Sequence, residues 1–243
     1  NLDKLASSGI RFENCYCTAL CTPSRVEFLT GRYPFRTGWT DLIGRQGMPK
    51  FLNPKEKTIA HILKGAGYVT AVSGKWQMCY FGDYPGDHIK QCGFDEYCCW
   101  AHVKYEGEKG LNRYWDPVIW QDRKFRTETD KYGPDIFCNF VIDFITKNKD
   151  KPFFVYYPTV LVHSPYTHTP DSKNSNEDEF SAMIAYMDKQ ITKIVQVLNN
   201  LKLREKTVIV FSGDNGTPHG IISKIQGDIE IKGGKGSVTE TGT

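Results

Sequence analysis

The chain has 243 residues, 40% of them hydrophobic and 24% charged, with a formal net charge of +3. That length is enough for one sizeable α/β domain with a real core. The charge is too mild for a nucleic-acid binder, no Lys/Arg run supports one, and no apolar stretch is long enough to span a bilayer.

The first residues, Asn1 to Ile10, look like the middle of a helix, and the last, Thr-Glu-Thr-Gly-Thr, do not look like a natural terminus. The expectation is an internal piece of a longer protein. Cysteines number eight: Cys15, Cys17, Cys21, Cys79, Cys92, Cys98, Cys99 and Cys138. Either some form disulfides in an oxidising compartment, or they are buried thiols, and composition leaves both open. Cys15 to Cys21 is a poor zinc motif, because it lacks a C-x2-C pair and no second Cys/His pair answers it.

Cys21-Thr-Pro-Ser-Arg25 opens a helix-like run that ends at the Gly31 and Gly38 turns. Pro23 suits a first helical turn and Thr22 the cap before it. Cys21 then stands where free N–H groups and the helix dipole favour negative charge, with Arg25 one turn on. Thr58 to Gly65 reads as a helix with Ile59, Ile62 and Leu63 on one face, and Tyr68 to Val72 as a short buried strand. Tyr80 to Tyr132 is rich in Trp, Tyr, Gly and Asp without a clean period, and reads as long loops over one face. Asp135 to Lys147 is a predicted helix with the stripe Phe137, Phe140, Val141 and Phe144. Pro152 to Val162 is a predicted strand that ends or bends near Pro158. Glu177 to Leu201 is the clearest helix, with Phe180, Ile184, Met187, Ile191, Ile194, Val195, Leu198 and Leu201 recurring at helical spacing. Thr207 to Phe211 reads as a continuous apolar strand running into a polar turn.

Helices alternating with strands in this way predict an α/β layered fold with a mostly parallel central sheet flanked by helices. Such sheets bind ligands at the carboxyl ends of their strands. The groups expected there are Ser73-Gly74-Lys75, His163-Ser164-Pro165 and Asp214-Asn215-Gly216. A helix-start thiol could be a simple nucleophile, but that chemistry wants a histidine base oriented by a carboxylate or amide. Lysines and an Asp-Asn pair suit a tetrahedral oxyanion and a hard cation instead.

Cys21-Thr-Pro-Ser-Arg25 followed by Leu-Thr-Gly-Arg resembles the sulfatase signature, in which the cysteine is oxidised to formylglycine. Gly74-Lys75-Trp76, His163, Asp214-Asn215-Gly216 and Gly233-Gly-Lys235-Gly236 follow in family order, and Asn1 to Tyr16 is similar to the family segment before the signature. The resemblance therefore runs from one end of the chain to the other. It implies an alkaline-phosphatase-like fold, of which residues 1–243 would be an internal part of the catalytic domain. The first strand, with the family's paired aspartates, and the C-terminal part would lie outside. It also implies hydrolysis of sulfate esters with calcium, magnesium being the second choice.

The resemblance further implies that Cys21 becomes a formylglycine whose gem-diol attacks sulfur and displaces the alcohol. Loss of the second hydroxyl's proton then expels sulfate and restores the aldehyde. Arg25 would stabilise the diol. Asp214, Asn215 and the modified Cys21 would ligate the cation. Lys75 and Lys235 would clamp sulfate oxygens, and His163 would bind sulfate or protonate the leaving group. Lys235 is preferred to Lys232 because Gly233-Gly-Lys-Gly would let backbone approach an anion. Where many sulfatases carry histidine, this chain carries Gln77, which can hydrogen-bond but not act as a base. The implied partners are a small-molecule or glycan sulfate ester and a formylglycine-generating maturation enzyme, and the implied location is exported: periplasmic, secreted or lysosomal. The rival readings are a phosphate or phosphonate monoester hydrolase of the same superfamily and a non-catalytic binder of sulfated glycans.

Overall fold

The computed structural model describes residues 1–84, 86–103, 112–225 and 229–243. These fall into two units. One gathers Asn1–Arg11, Ala60–Trp76 and Tyr80–Val208; the other gathers Phe12–Ile59, Gln77–Cys79 and Ile209–Thr243. The helices are α1 (Leu2–Ser7), α2 (Cys21–Thr30), α3 (Pro34–Thr37), α4 (Ile59–Gly65), α5 (His88–Gln91), α6 (Gly133–Lys147) and α7 (Glu179–Asn200). The strands are β1 (Val69–Gly74), β2 (Glu96–Trp100), β3 (Val118–Gln121), β4 (Lys124–Thr127), β5 (Phe153–Tyr156), β6 (Ile222–Ile225) and β7 (Ile229–Lys232).

The first unit is built on a five-stranded sheet in the order β4-β3-β2-β1-β5. β1 runs parallel to β2 and β5, and the β2–β3 and β3–β4 pairs are antiparallel, so β3 alone opposes the rest. The mostly parallel α/β sheet expected from the sequence is therefore present. β1 is buried from Thr70 to Gly74, which is why it reads as a continuous run rather than an alternating one. Its buried polar groups are satisfied: Thr70 Oγ1 donates to Gly93 O (2.8 Å), and Ser73 Oγ reaches Cys98 O (3.1 Å) and Phe137 O (2.9 Å).

α6 packs against β1 and α7 against α6. Pro134 and Asp135 lie in the first turn of α6 and Lys147 in its last, as the dipole and the missing proline N–H favour. Its inward face is Phe137, Cys138, Val141, Phe144 and Ile145. α7 starts behind Asp178, whose carboxylate accepts from Ser181 N (2.9 Å). The face that α7 buries is rotated from the predicted stripe: Ala182, Met183, Tyr186, Gln190 and Leu198 are buried, and Ile184 is exposed. The reason is polar. Tyr186 donates its hydroxyl to Asp135 (2.9 Å), and Tyr157 donates to Gln190 Oε1 (3.1 Å), so a tyrosine and a glutamine face the core with partners.

Two expectations fail. The stretch from Tyr80 to Tyr132, read as loops, contains α5, β2, β3 and β4; residues 104–111 within it lie outside the described residues. The β3–β4 hairpin turns on Asp122 and Arg123, with φ 51° and 60°. That is the two-residue turn type usually marked by Asn-Gly, so Asp-Arg hid it. The apolar run Thr207 to Phe211 is not a strand. No strand pairs with it among the described residues, and Val208 and Val210 are 88% and 74% exposed. A β-run without a neighbour has no ladder for its backbone groups.

The second unit holds α2, α3 and the antiparallel β6–β7 hairpin. Among the described residues no helix is long and apolar enough to cross a membrane.

The cysteines are all free: Cys15 is exposed, Cys17 half-buried and the other six buried. Of the two readings, buried thiols is the one found. Burial pushes the Cys92, Cys98 and Cys138 thiols up to about 12. At pH 8 roughly one in 10⁴ of each is thiolate, the form that reacts. Alkylation of the native protein at pH 8, followed by peptide mass spectrometry, is expected to label Cys15 first and these three only after denaturation. Rapid native labelling of all three would contradict the packing.

Candidate active site

α2 begins two residues earlier than the capping pattern predicts, with Leu20 rather than Thr22 at the cap. Leu20 is the extended residue at the N-cap (φ −132°, ψ 148°), Cys21 is the first helical residue and Pro23 completes the first turn. Each polar residue of the pentapeptide has a task. Ser24 Oγ reaches Thr18 O and Leu20 O, both at 2.9 Å, and Thr18 Oγ1 at 2.6 Å, tying the approach to the helix. Thr22 Oγ1 accepts from Ile43 N (3.3 Å). Arg25, 6% exposed, donates from Nη2 to Asp214 Oδ2 at 2.5 Å.

Asn215 completes the group. Its amide nitrogen donates to Asp214 Oδ1 (2.5 Å) and approaches Cys21 Sγ at 3.6 Å. Cys21, Arg25, Asp214 and Asn215 are thus joined, with Cys21 only 2% exposed. The Gly233 to Gly236 turn lies against the same helix start: Gly236 N donates to Ala19 O (3.0 Å) and Lys235 N to Thr217 O (3.0 Å). Lys235 is half-buried and Lys232 exposed on β7, which favours Lys235. A Cβ on Gly233 would strike Pro218 O, and one on Gly234 would strike Thr241 Oγ1, so their bareness admits neighbouring protein.

Gln77 also belongs to this unit but is outside that hydrogen-bonded group. It has φ 55°, and its side-chain oxygen is buried without a hydrogen-bond partner among the described residues. A non-glycine residue with positive φ and an orphaned polar atom is a frequent mark of a ligand site.

In the first unit, Lys75 directly follows β1 and is 3% exposed. A lysine so deeply buried is rare unless its charge is met. Its N–H donates to Pro158 O (2.7 Å), past the end of β5. This close approach needs Gly74: φ is 112°, and a Cβ would collide with Pro158 O. Trp76, fully buried, donates from Nε1 to His88 Nδ1 (3.1 Å). His163 is half-buried. Its Nδ1 is 2.8 Å from Ser164 O, an arrangement satisfied when Nδ1 carries the proton. Sequence reasoning assigned no role to His88, nor to Tyr114, which holds the backbone of His163 (3.0 Å). Neither sits in a motif or a periodic segment, and only tertiary contact reveals them.

By fold this is an α/β protein in which Cys21, Arg25, Asp214 and Asn215 meet at a helix start. A sequence model of the family described as Sulfatase matches residues 1–239, and the chain belongs to that family. It is 29% identical over 236 residues to N-acetylgalactosamine-6-sulfatase of Homo sapiens, covering 89% of this chain and 45% of the relative. To N-acetylglucosamine-6-O-sulfatase of Bacteroides thetaiotaomicron it is 33% identical over 172 residues, 70% of this chain and 27% of the relative. The crystal structure of Ps i-CgsB in complex with k-i-k-neocarrahexaose superposes with a TM-score of 0.78 at 26% identity, covering the whole of this chain and 58% of that one. The alkaline-phosphatase-like fold implied by the motifs is thereby established. The chain spans about half the length of the curated relatives it matches, 45% for the human protein.

Gly74→Ala is expected to lower stability by about 2–4 kcal/mol, combining a disallowed φ with a backbone collision. Chemical denaturation measures it, and a variant as stable as the parent would show that the end of β1 can shift away from Pro158 freely.

Proposed function

We propose that the whole protein hydrolyses sulfate esters of glycans, with residue 21 matured to formylglycine. The supporting observation is the convergence of Cys21, Arg25, Asp214 and Asn215, which are distant in sequence and joined at one helix start. Sulfatases generally depend on formylglycine and bind calcium. Two of the relatives are hexosamine 6-sulfatases by name, which supports a sugar sulfate as substrate. Export, to the periplasm, the lysosome or outside the cell, and maturation by an oxidising formylglycine-generating enzyme are part of the same proposal.

The donors present fit a hard cation in kind. Asp214 offers a carboxylate and Asn215 an amide oxygen, which suit calcium or, less well, magnesium rather than zinc. Residue 21 is the third expected ligand. Asn215 now directs its amide nitrogen toward Asp214, so holding a cation requires the amide to turn. These ligands are fewer than the six or more oxygens calcium takes, so they are a part of a full shell. When bound, the cation supplies Lewis-acid polarisation of a sulfate oxygen. Formylglycine supplies a hydrated aldehyde as nucleophile.

The chain's other groups do the rest. Arg25 donates to the oxygen on residue 21 and keeps it oriented. Lys75 and Lys235 bind sulfate oxygens and meet the charge that grows as the alcohol departs. His163, with Nδ1 committed to Ser164 O, uses Nε2 to bind sulfate or protonate the leaving oxygen. Gln77 hydrogen-bonds sulfate without titrating.

Two experiments test this. Peptide mass spectrometry of the matured full-length protein is expected to find residue 21 without its sulfur and reactive toward a hydrazide, and Cys21→Ala is expected to be folded and inactive. A fully active enzyme with an intact Cys21 thiol sinks the formylglycine reading.

Turnover of paired aryl sulfate and aryl phosphate esters is expected to favour the sulfate and to fall with chelator, returning with calcium. Lys75→Ala and Lys235→Ala are each expected to cost about 10²-fold or more in kcat, as loss of one oxyanion donor does, and Gln77→Ala less. Preference for the phosphate ester would instead support the phosphohydrolase reading.

A further inference from the structure

We propose that Tyr114 is a positioning residue for His163: its buried hydroxyl grips the backbone of His163 on both sides and so aims the imidazole. The proposal rests on the reading of His163 as a sulfate-binding or proton-donating group.

The grip is direct. The Tyr114 hydroxyl accepts from His163 N–H at 3.0 Å, and its own proton has two carbonyls in reach, His163 O at 2.5 Å and Val160 O at 2.9 Å. Loop backbone needs partners when it leaves a sheet. Here a side-chain hydroxyl from 49 residues away supplies them. The ring nitrogen is held next door, Nδ1 to Ser164 O at 2.8 Å. With N–H, C=O and Nδ1 all engaged, the direction in which Nε2 points is fixed.

The clamp stands on rigid ground. Tyr114 is 5% exposed and belongs to the core cluster with Phe137, Val160, Leu161 and Met183. Its ring stacks on Tyr132, centroids 6.2 Å apart at 23°. A phenylalanine could fill that volume, so packing alone does not account for the hydroxyl. Burial pushes the hydroxyl up to about 12, which keeps it protonated, and therefore a donor, across the neutral range. The next residue adds a second strap to the same loop, Trp115 Nε1 donating to His168 O at 2.9 Å.

The test uses the matured full-length enzyme with an aryl sulfate ester. Tyr114→Phe is expected to lower kcat about 10- to 100-fold, the range for a small misplacement of a reacting group. In a His163→Ala background the same change is expected to cost nothing further, because Tyr114 acts through His163. Trp115→Phe is the control. It removes the His168 strap, leaves the clamp, and is expected to keep kcat near the parent value; a loss equal to that of Tyr114→Phe would mean general loosening of the loop and overturn the proposal. So would a full additional loss in the double variant.

If the double variant is too slow to measure, labelled-histidine NMR decides. The imidazole signal missing from His163→Ala is expected to shift in Tyr114→Phe, and an unmoved signal overturns the clamp. Full activity in Tyr114→Phe beside an impaired His163→Ala overturns Tyr114 alone. Full activity in His163→Ala overturns the role of His163 itself, and the clamp with it.

Discussion

The ion pair between Arg25 and Asp214 organises the second unit. The guanidinium is almost wholly buried, its side chain 7% exposed, while the carboxylate is 36% exposed. A buried charge is costly unless it is met, so the helix start that carries Arg25 and the turn that carries Asp214 have to come together. Around the pair the lesser contacts fall into place: Ser24 lashes down the approach to α2, Thr22 holds Ile43, Asn215 spans from Asp214 to Cys21, and the Gly233 to Gly236 turn closes on Ala19. Such fixed dipoles and charges need little rearrangement when an anion arrives, which is the condition for using them in catalysis.

In the first unit the organising constraint is steric. β1 ends on a glycine because Pro158 O lies where a Cβ would be. The strand can then deliver Lys75 into a buried position instead of turning it out to water. Trp76 behind it is held by His88, whose Nε2 lies 3.7 Å from Cys92 Sγ, and its ring packs on Phe94. Lys75 and His163 both follow the carboxyl ends of parallel strands, where this class of sheet places its ligands. The aromatic core under the loop of His163 converts sheet rigidity into side-chain direction.

Gln77 has a chemical consequence. Where the resemblance leads to an expected histidine, this chain carries an amide that does not titrate. Its strained φ and orphaned oxygen show that the position is still specialised. The proposed machinery then has His163 as its one imidazole, and proton transfer near neutrality depends on how well that ring is aimed.

Much of this was legible in the residues. The period of α6, the continuous apolar run of β1 and the order of the motifs are local properties, carried by side-chain spacing and turn chemistry, and the fold class and family follow from them. The rotated face of α7 was not legible, because Tyr186 and Gln190 count as polar until Asp135 and Tyr157 are seen opposite them. Nor was the β3–β4 hairpin, since Asp-Arg adopts a turn conformation its composition does not advertise. Thr207 to Phe211 had the pattern of a strand but no partner, and pairing is not a local property. The sequence by itself determined which chemical groups the protein carries and which local segments they sit on. The tertiary structure alone decided that Arg25 meets Asp214, that Gly234 packs against Thr241, and that Tyr114 holds His163, because each is a contact between residues whose separation along the chain carries no trace of their separation in space.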